Sequence, residues 1–251
     1  WFFEIVDFTD ELNGWAYAWS DSIEENVIIK TADGGYNWQV KYQTNDIWYR
    51  DLQALNNEVV FLVSNVIILK TSDGGSRWVD ISPQISNAHF NSVQFFSENT
   101  GMVSGTVENQ GNNLGMISRT TDGGSTWETE VINEFNVIQD VKFGANSEGY
   151  FIASKWDESM DTFLCHTLTL GQTWTKLYHS YFTIGSYFPI SQDRIYVSVF
   201  DSLNINNLLY SDNNGENWES IFSITNWSIP YISLNEENKG LIICNLMGGF
   251  G

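Results

Sequence analysis

Five short segments carry the side chains whose types and spacing could do chemistry: Thr31-Ala-Asp-Gly-Gly-Tyr-Asn-Trp38, Thr71-Ser-Asp-Gly-Gly-Ser-Arg-Trp78, Thr120-Thr-Asp-Gly-Gly-Ser-Thr-Trp127, Thr167-Leu-Thr-Leu-Gly-Gln-Thr-Trp174 and Ser211-Asp-Asn-Asn-Gly-Glu-Asn-Trp218. In the first three a carboxylate (Asp33, Asp73, Asp122) precedes a glycine (Gly35, Gly75, Gly124) and a tryptophan. Such an acid could ligate a hard cation, or it could accept the N–H groups of a tight turn. One carboxylate per segment, each on a different repeat, does not build a cation site, which needs several oxygens. Copies four and five place Thr169 and Asn213 at the acidic position while keeping Gly171, Trp174, Gly215 and Trp218. Both substitutes can bond a turn, and neither is a strong ion ligand. The pattern therefore predicts structural turns, with no metal and no cofactor.

The remaining reactive groups are sparse. Asp157, Glu158 and Asp161 invite a calcium reading, but their spacing lacks the alternation and the glycine of a calcium loop, so they are read as solvated acids. His89, His166 and His179 form no ligand pair. Cys165 and Cys244 lie in apolar, strand-like runs and match no redox or zinc spacing; they are expected to be small buried hydrophobes. No nucleophile elbow or phosphate loop is present.

The elements that must position these residues repeat with the motif. The motif tryptophans stand 40, 49, 47 and 44 residues apart. Between them recurs an apolar pair followed, six residues on, by glycine and a bulky residue: Val6-x-Phe8 to Gly14-Trp15, Val93-x-Phe95 to Gly101-Met102, Val141-x-Phe143 to Gly149-Tyr150 and Ile232-x-Leu234 to Gly240-Leu241. Each unit holds about four short β-rich runs without helical periodicity, which is the blade pattern of an all-β propeller with four-stranded antiparallel blades. The units are placed at 1–41, 42–81, 82–130, 131–177, 178–221 and 222–251 of one propeller domain. That register predicts five full blades plus part of a sixth, a piece of a six- or seven-bladed ring.

The motif S/T-x-D-x-G-x-T-W, matched at every position by Thr120 to Trp127, resembles the Asp-box, or bacterial neuraminidase repeat. Together with the strand signature, the chain is most similar to photosystem II stability/assembly factor-like propellers, and more distantly to sialidases, sortilin-type receptors and xyloglucan-degrading hydrolases. The resemblance implies that the Asp-box hairpins face away from the ligand. The opposite rim would then be built by loops between blades and between each blade's second and third strands. Candidate ligand-binding residues there are Trp48, Tyr49, Arg50, Asp51, His89, Phe90, Trp156, Asp157, Tyr181, Phe182 and Trp227. Aromatic faces flanked by carboxylates and amides suit sugars, or cationic and peptide ligands; an aromatic plugging the seam between two blades is the competing reading for each.

Composition narrows the partner. The chain has 251 residues, with 11 Lys plus Arg against 31 Asp plus Glu, a formal charge of −20. Nucleic acid and anionic membrane surfaces need a basic footprint, so both are excluded as expected partners. No apolar run reaches the roughly 18 residues of a membrane helix. A sialidase needs an arginine triad for its substrate's carboxylate. This chain has four arginines; Arg77 lies inside an Asp-box and Arg119 immediately precedes one, leaving Arg50 and Arg194. The resulting expectation is a monomeric, non-catalytic binding or assembly scaffold that recognises protein or carbohydrate. The family resemblance and an N-terminal Trp1 in place of Met point to a bacterial protein that is secreted, periplasmic or on the cell surface. The alternative is a glycoside hydrolase acting on neutral polysaccharide through a rim carboxylate pair.

Overall fold

The computed structural model describes residues 1–44, 47–143, 148–156, 161–169, 173–191, 193–203, 205–234 and 240–246, with side chains beyond 227 described only at 229 and 232. Asp157, Glu158, Gly171 and the side chain of Cys244 lie outside the described residues. The described chain is all β, and none of it forms a helix long and apolar enough to cross a membrane.

Five four-stranded antiparallel sheets follow one another in chain order, each a meander, and together they make a β-propeller fold. The first blade comprises β1 (Phe2–Phe8), β2 (Gly14–Ser20), β3 (Glu25–Thr31) and β4 (Gln39–Gln43). The second comprises β5 (Tyr49–Ala54), β6 (Val60–Ser64), β7 (Ile68–Thr71) and β8 (Val79–Asp80). The third is built from β9 (Ala88–Phe95), β10 (Gly101–Asn109), β11 (Asn112–Thr120) and β12 (Glu128–Ile132). The fourth has β13 (Val137–Phe143), β14 (Gly149–Ser154), β15 (Thr162–Thr167) and β16 (Thr175–Ser180), and the fifth β17 (Ile184–Pro189), β18 (Ile195–Phe200), β19 (Ile205–Ser211) and β20 (Glu219–Thr225). An antiparallel pair, β21 (Trp227–Leu234) and β22 (Gly240–Leu246), follows. The chain divides into two compact units, Trp1–Val141 and Lys142–Gly251.

Burial explains the hydrophobic runs. The middle strands β6, β14 and β15 are buried from end to end and accordingly lose polar alternation. Fourth strands such as β4 and β20 are largely exposed and more polar. In the first unit, one core packs Trp15, Tyr17 and Ile28 of the first blade against Tyr49, Leu52 and Leu62 of the second. Another packs Phe61 and Val63 against Phe90, Val93 and Phe95, with Phe61 and Phe95 stacked at 3.7 Å. Gly101 is required here: a Cβ on it would lie 2.5 Å from the Phe95 ring. In the second unit, Tyr150, Ile152 and Leu164 meet Ile184, Tyr187, Ile195 and Val197. Cys165 is buried within β15.

Polar side chains of the first and second strands also stitch adjacent blades. In the first unit Asp7 accepts from Ala54 N (2.7 Å), Asp51 Oδ2 from Val93 N (2.9 Å), and Gln53 both accepts from and donates to the Phe95 backbone. In the second, Ser186 and Ser198 donate to the Ile229 carbonyl at 2.9 and 2.8 Å. These bonds satisfy buried groups and fix the register between sheets.

Candidate functional site at the loop end of the blades

The repeated motif occupies the turn between the third and fourth strands of every complete blade. In the third copy Thr120 Oγ1 donates to Asp122 Oδ1 (2.9 Å) and accepts from Gly124 N (2.9 Å), while Asp122 Oδ1 accepts from Thr126 N (2.8 Å). Copies one and two repeat this set through Thr31 with Asp33 and Thr71 with Asp73. Gly124 adopts a φ of 92°, the left-handed region that glycine enters without strain. These donors hold the three carboxyls below their ordinary pKa: the Asn37 side chain for Asp33, the Arg77 backbone for Asp73 and the Thr126 side chain for Asp122. Trp78 and Trp127 reach the preceding blade: Trp78 lies edge-on to Trp15 at 6.4 Å, and Trp127 edge-on to Phe95 at 6.2 Å while donating to the Ile81 carbonyl at 2.7 Å. In the second unit, Trp174 lies edge-on to Phe151 at 4.2 Å and Trp218 to Tyr178 at 5.1 Å. Trp38 donates to the Gly35 carbonyl at 2.9 Å. Each motif acid is thus committed to its own turn.

The same end of the first, second, third and fifth blades carries the connection between first and second strands, which accepts a bond from the motif turn: Gly34 N to Leu12 O, Gly74 N to Glu58 O, Gly123 N to Asn99 O and Asn214 N to Asp193 O. Antiparallel pairing sends the connection between second and third strands, and the link to the next blade, to the other end. They are joined there by Thr44 N to Asn26 O, Glu108 N to Asn87 O and Phe200 N to Thr183 O.

The predicted binding residues of the first unit separate by burial. Trp48, just before β5, is 65% exposed, whereas the next residue, Tyr49, is 5% exposed and lies edge-on to Tyr17 at 5.7 Å. Phe90 is 2% exposed within the Phe61–Phe95 core. Burial pushes the Tyr49 hydroxyl above its usual pKa. The Arg50 guanidinium donates to the Phe90 carbonyl and to Asn91 Oδ1, and Asp51 accepts from Leu52 N and Val93 N. His89 is half-buried beside Phe90. A 340 Å³ cleft nearby is lined by Val66, Asp80, Ser82, Pro83, Ile85 and Phe90, among others. Apart from Phe90, that set was not apparent from sequence, since the segment carries no aromatic cluster.

The second unit contains a more chemically specific cleft of 240 Å³. It brings together two predicted residues, Tyr181 and Phe182, with Tyr178, His179, Asp201 and Asn207 over an apolar floor that includes Val199 and Leu209. Tyr181 is 65% exposed. His179 is held in place on three sides: its ring stacks on Phe163 at 4.9 Å, Tyr181 meets it edge-on at 4.7 Å, and its Nε2 lies 3.0 Å from Asp161 Oδ1. Asp201 Oδ1 accepts from Leu203 N (2.8 Å) and Ile205 N (3.0 Å), leaving Oδ2 with a long 3.4 Å contact to Asn207 Nδ2. Among the described residues, no lysine or arginine lines this cleft. Trp156 is half-exposed at the end of β14, and Trp227 is partly buried at the start of β21.

A family model described as photosynthesis system II assembly factor YCF48 matches residues 3–155, more than half of the chain. The chain belongs to this family. No curated protein matches it by sequence. Among solved structures, this YCF48-family chain is similar to the Niastella koreensis GH74 enzyme, with 19% identity and a TM-score of 0.66 over 87% of this chain and 38% of the enzyme. It is also similar to the extracellular domain of the one-component system protein BT4673 from B. thetaiotaomicron, with 10% identity and a TM-score of 0.66 over 97% of this chain and 31% of that one. A puromycin-hydrolyzing peptidase of Mycobacterium tuberculosis shares 8% identity and a TM-score of 0.60 over 88% of this chain and 38% of the peptidase. The YCF48-family chain therefore spans about a third of the length of these structures, and at such identities the likeness is one of fold.

Proposed function

We propose that the chain is a non-catalytic binding or assembly scaffold that recognises its partner at the blade ends opposite the motif turns. The observation that carries this reading is the division of labour among polar and aromatic groups. Asp33, Asp73 and Asp122 hold turns, and Asp51 and Asp201 accept backbone N–H groups at the loop end. Trp48 and Tyr181 meanwhile stand 65% exposed there, as large, rigid surfaces suited to contact. Membership of an assembly-factor family supports a protein as the partner, with carbohydrate the second candidate. Likeness to an extracellular domain supports export by a bacterium.

The rival reading, hydrolysis of a neutral polysaccharide, draws on the likeness to a GH74 enzyme and needs two carboxylates available to a glycosidic bond. A panel of neutral polysaccharides separates the two. The scaffold reading expects no hydrolysis by the intact chain. Hydrolysis abolished by Asp157→Asn or Asp51→Asn would replace it. Binding to protein or glycan probes should fall when Trp48→Ala and Tyr181→Ala are combined; unchanged binding would remove the loop end from the account.

A further inference from the structure

We infer that the cleft of the second unit binds a cationic side chain, lysine or arginine, presented by an extended peptide segment of a protein partner. This rests on the scaffold reading above and names the chemistry of one of its sites. Tyr181 and Phe182 line the cleft with Tyr178 and His179, the Tyr181 ring standing 65% exposed, and Val199 and Leu209 add apolar lining. Ring faces attract a cation through their quadrupole, while an apolar floor takes the aliphatic stem that arginine and lysine carry below their charge. Asp201 supplies the counter-charge: Oδ1 is committed to two backbone N–H groups and so orients the carboxylate, and Oδ2 keeps acceptor capacity facing the cleft partners.

Charge complementarity points the same way. Cationic lining residues would oppose such a guest, and none is present among the described residues. The whole chain carries −20, which steers basic segments towards it and repels acidic ones. The volume of 240 Å³ suits one side chain better than an oligosaccharide, which needs a groove several rings long. The fourth strand β16, at the edge of its sheet, leads directly into the cleft, so an extended segment running beside it would place a side chain there.

The test is calorimetric titration of the full chain with a Gly/Ser peptide carrying a central arginine, beside the same peptide with citrulline, an uncharged isostere, and beside a neutral cello-oligosaccharide. The expected results are measurable binding of the arginine peptide that weakens with salt, and about tenfold weaker binding of the citrulline peptide. Tyr181→Ala and Asp201→Asn should each weaken the arginine peptide by about tenfold; asparagine keeps the acceptor for the turn and removes only charge. Asp122→Asn, the same charge change at the opposite blade end, should leave binding unchanged, which separates a site from general attraction to an acidic surface. Equal binding of both peptides, or equal loss with Asp122→Asn, overturns the inference. Binding of the oligosaccharide alone, lost with Tyr181→Ala, overturns it while keeping the loop end as the recognition surface. Absence of any effect from Tyr181→Ala on a probe that does bind overturns the inference, and absence of any effect when Trp48→Ala is added overturns the scaffold reading as well.

Discussion

The motif turns of the first unit and those of the second have the same backbone purpose with different chemistry. Asp33, Asp73 and Asp122 each accept the N–H four residues on through a carboxylate at 2.8–2.9 Å. In copy four Thr169 Oγ1 accepts Thr173 N at 2.9 Å, and in copy five Asn213 Oδ1 accepts Asn217 N at 3.0 Å. A hydroxyl, an amide and a carboxylate thus close one turn. The requirement is an oxygen at a fixed place, and charge is dispensable. This is why the acids are poor candidates for ion binding despite their repetition.

The largest way to break that equivalence is steric. Gly124→Ala would force a side chain into positive φ with its Cβ 2.7 Å from Ile81 Cβ, whereas Gly215→Ala meets Leu177 Cβ at 3.1 Å. Denaturant unfolding should show a loss of about 2–4 kcal/mol for the first and roughly 1–2 kcal/mol for the second. A larger loss at Gly215 would mean that packing beneath the turn is not what the glycine protects. Next is the buried hydroxyl that every copy retains. Thr120→Val removes the acceptor of Gly124 N and should cost about 1–3 kcal/mol, since a buried N–H is left without a partner. A neutral result would show that water replaces the hydroxyl.

Smallest is the charge itself. Because the three carboxyls have folded pKa values below 3.8, their stabilisation is complete above that pH and is lost as pH falls through the folded values. Hydrogen exchange at the amides of Asn37, Arg77 and Thr126 should therefore quicken several-fold on acidification below about pH 3.8, relative to the intrinsic rate. The amides of Thr173 and Asn217, bonded to neutral acceptors, should show no such step. A shared step would sharpen the comparison into a statement about global acid unfolding rather than turns.

Blades and turns were legible in the sequence because both depend on local chemistry: glycine for positive φ, an oxygen for the turn, tryptophan for the seam. Side-chain direction was less so. Trp48 and Tyr49 look alike as loop aromatics, yet Tyr49 opens β5 and packs into the core while Trp48, just before the strand, stays 65% exposed. Burial by a neighbouring blade is equally non-local. Phe8 and Phe95 hold the same motif position, but Phe95 stacks on Phe61 and is 2% exposed, while Phe8 is 43% exposed. The cleft of the second unit needed the same kind of long-range information. Tyr181 and Phe182 were visible as a pair, whereas Asp201, Asn207 and the Val199–Leu209 floor reach them only through strand pairing.

The central claim is that the motif turns build the fold and the opposite blade ends bind. Arginine-peptide isotherms for Tyr181→Ala and Asp122→Asn, taken side by side with their unfolding curves, test it most directly. The account predicts that Tyr181→Ala loses binding about tenfold with its unfolding midpoint unchanged, and that Asp122→Asn binds as the parent does. A loss of binding in Asp122→Asn with full stability would contradict it.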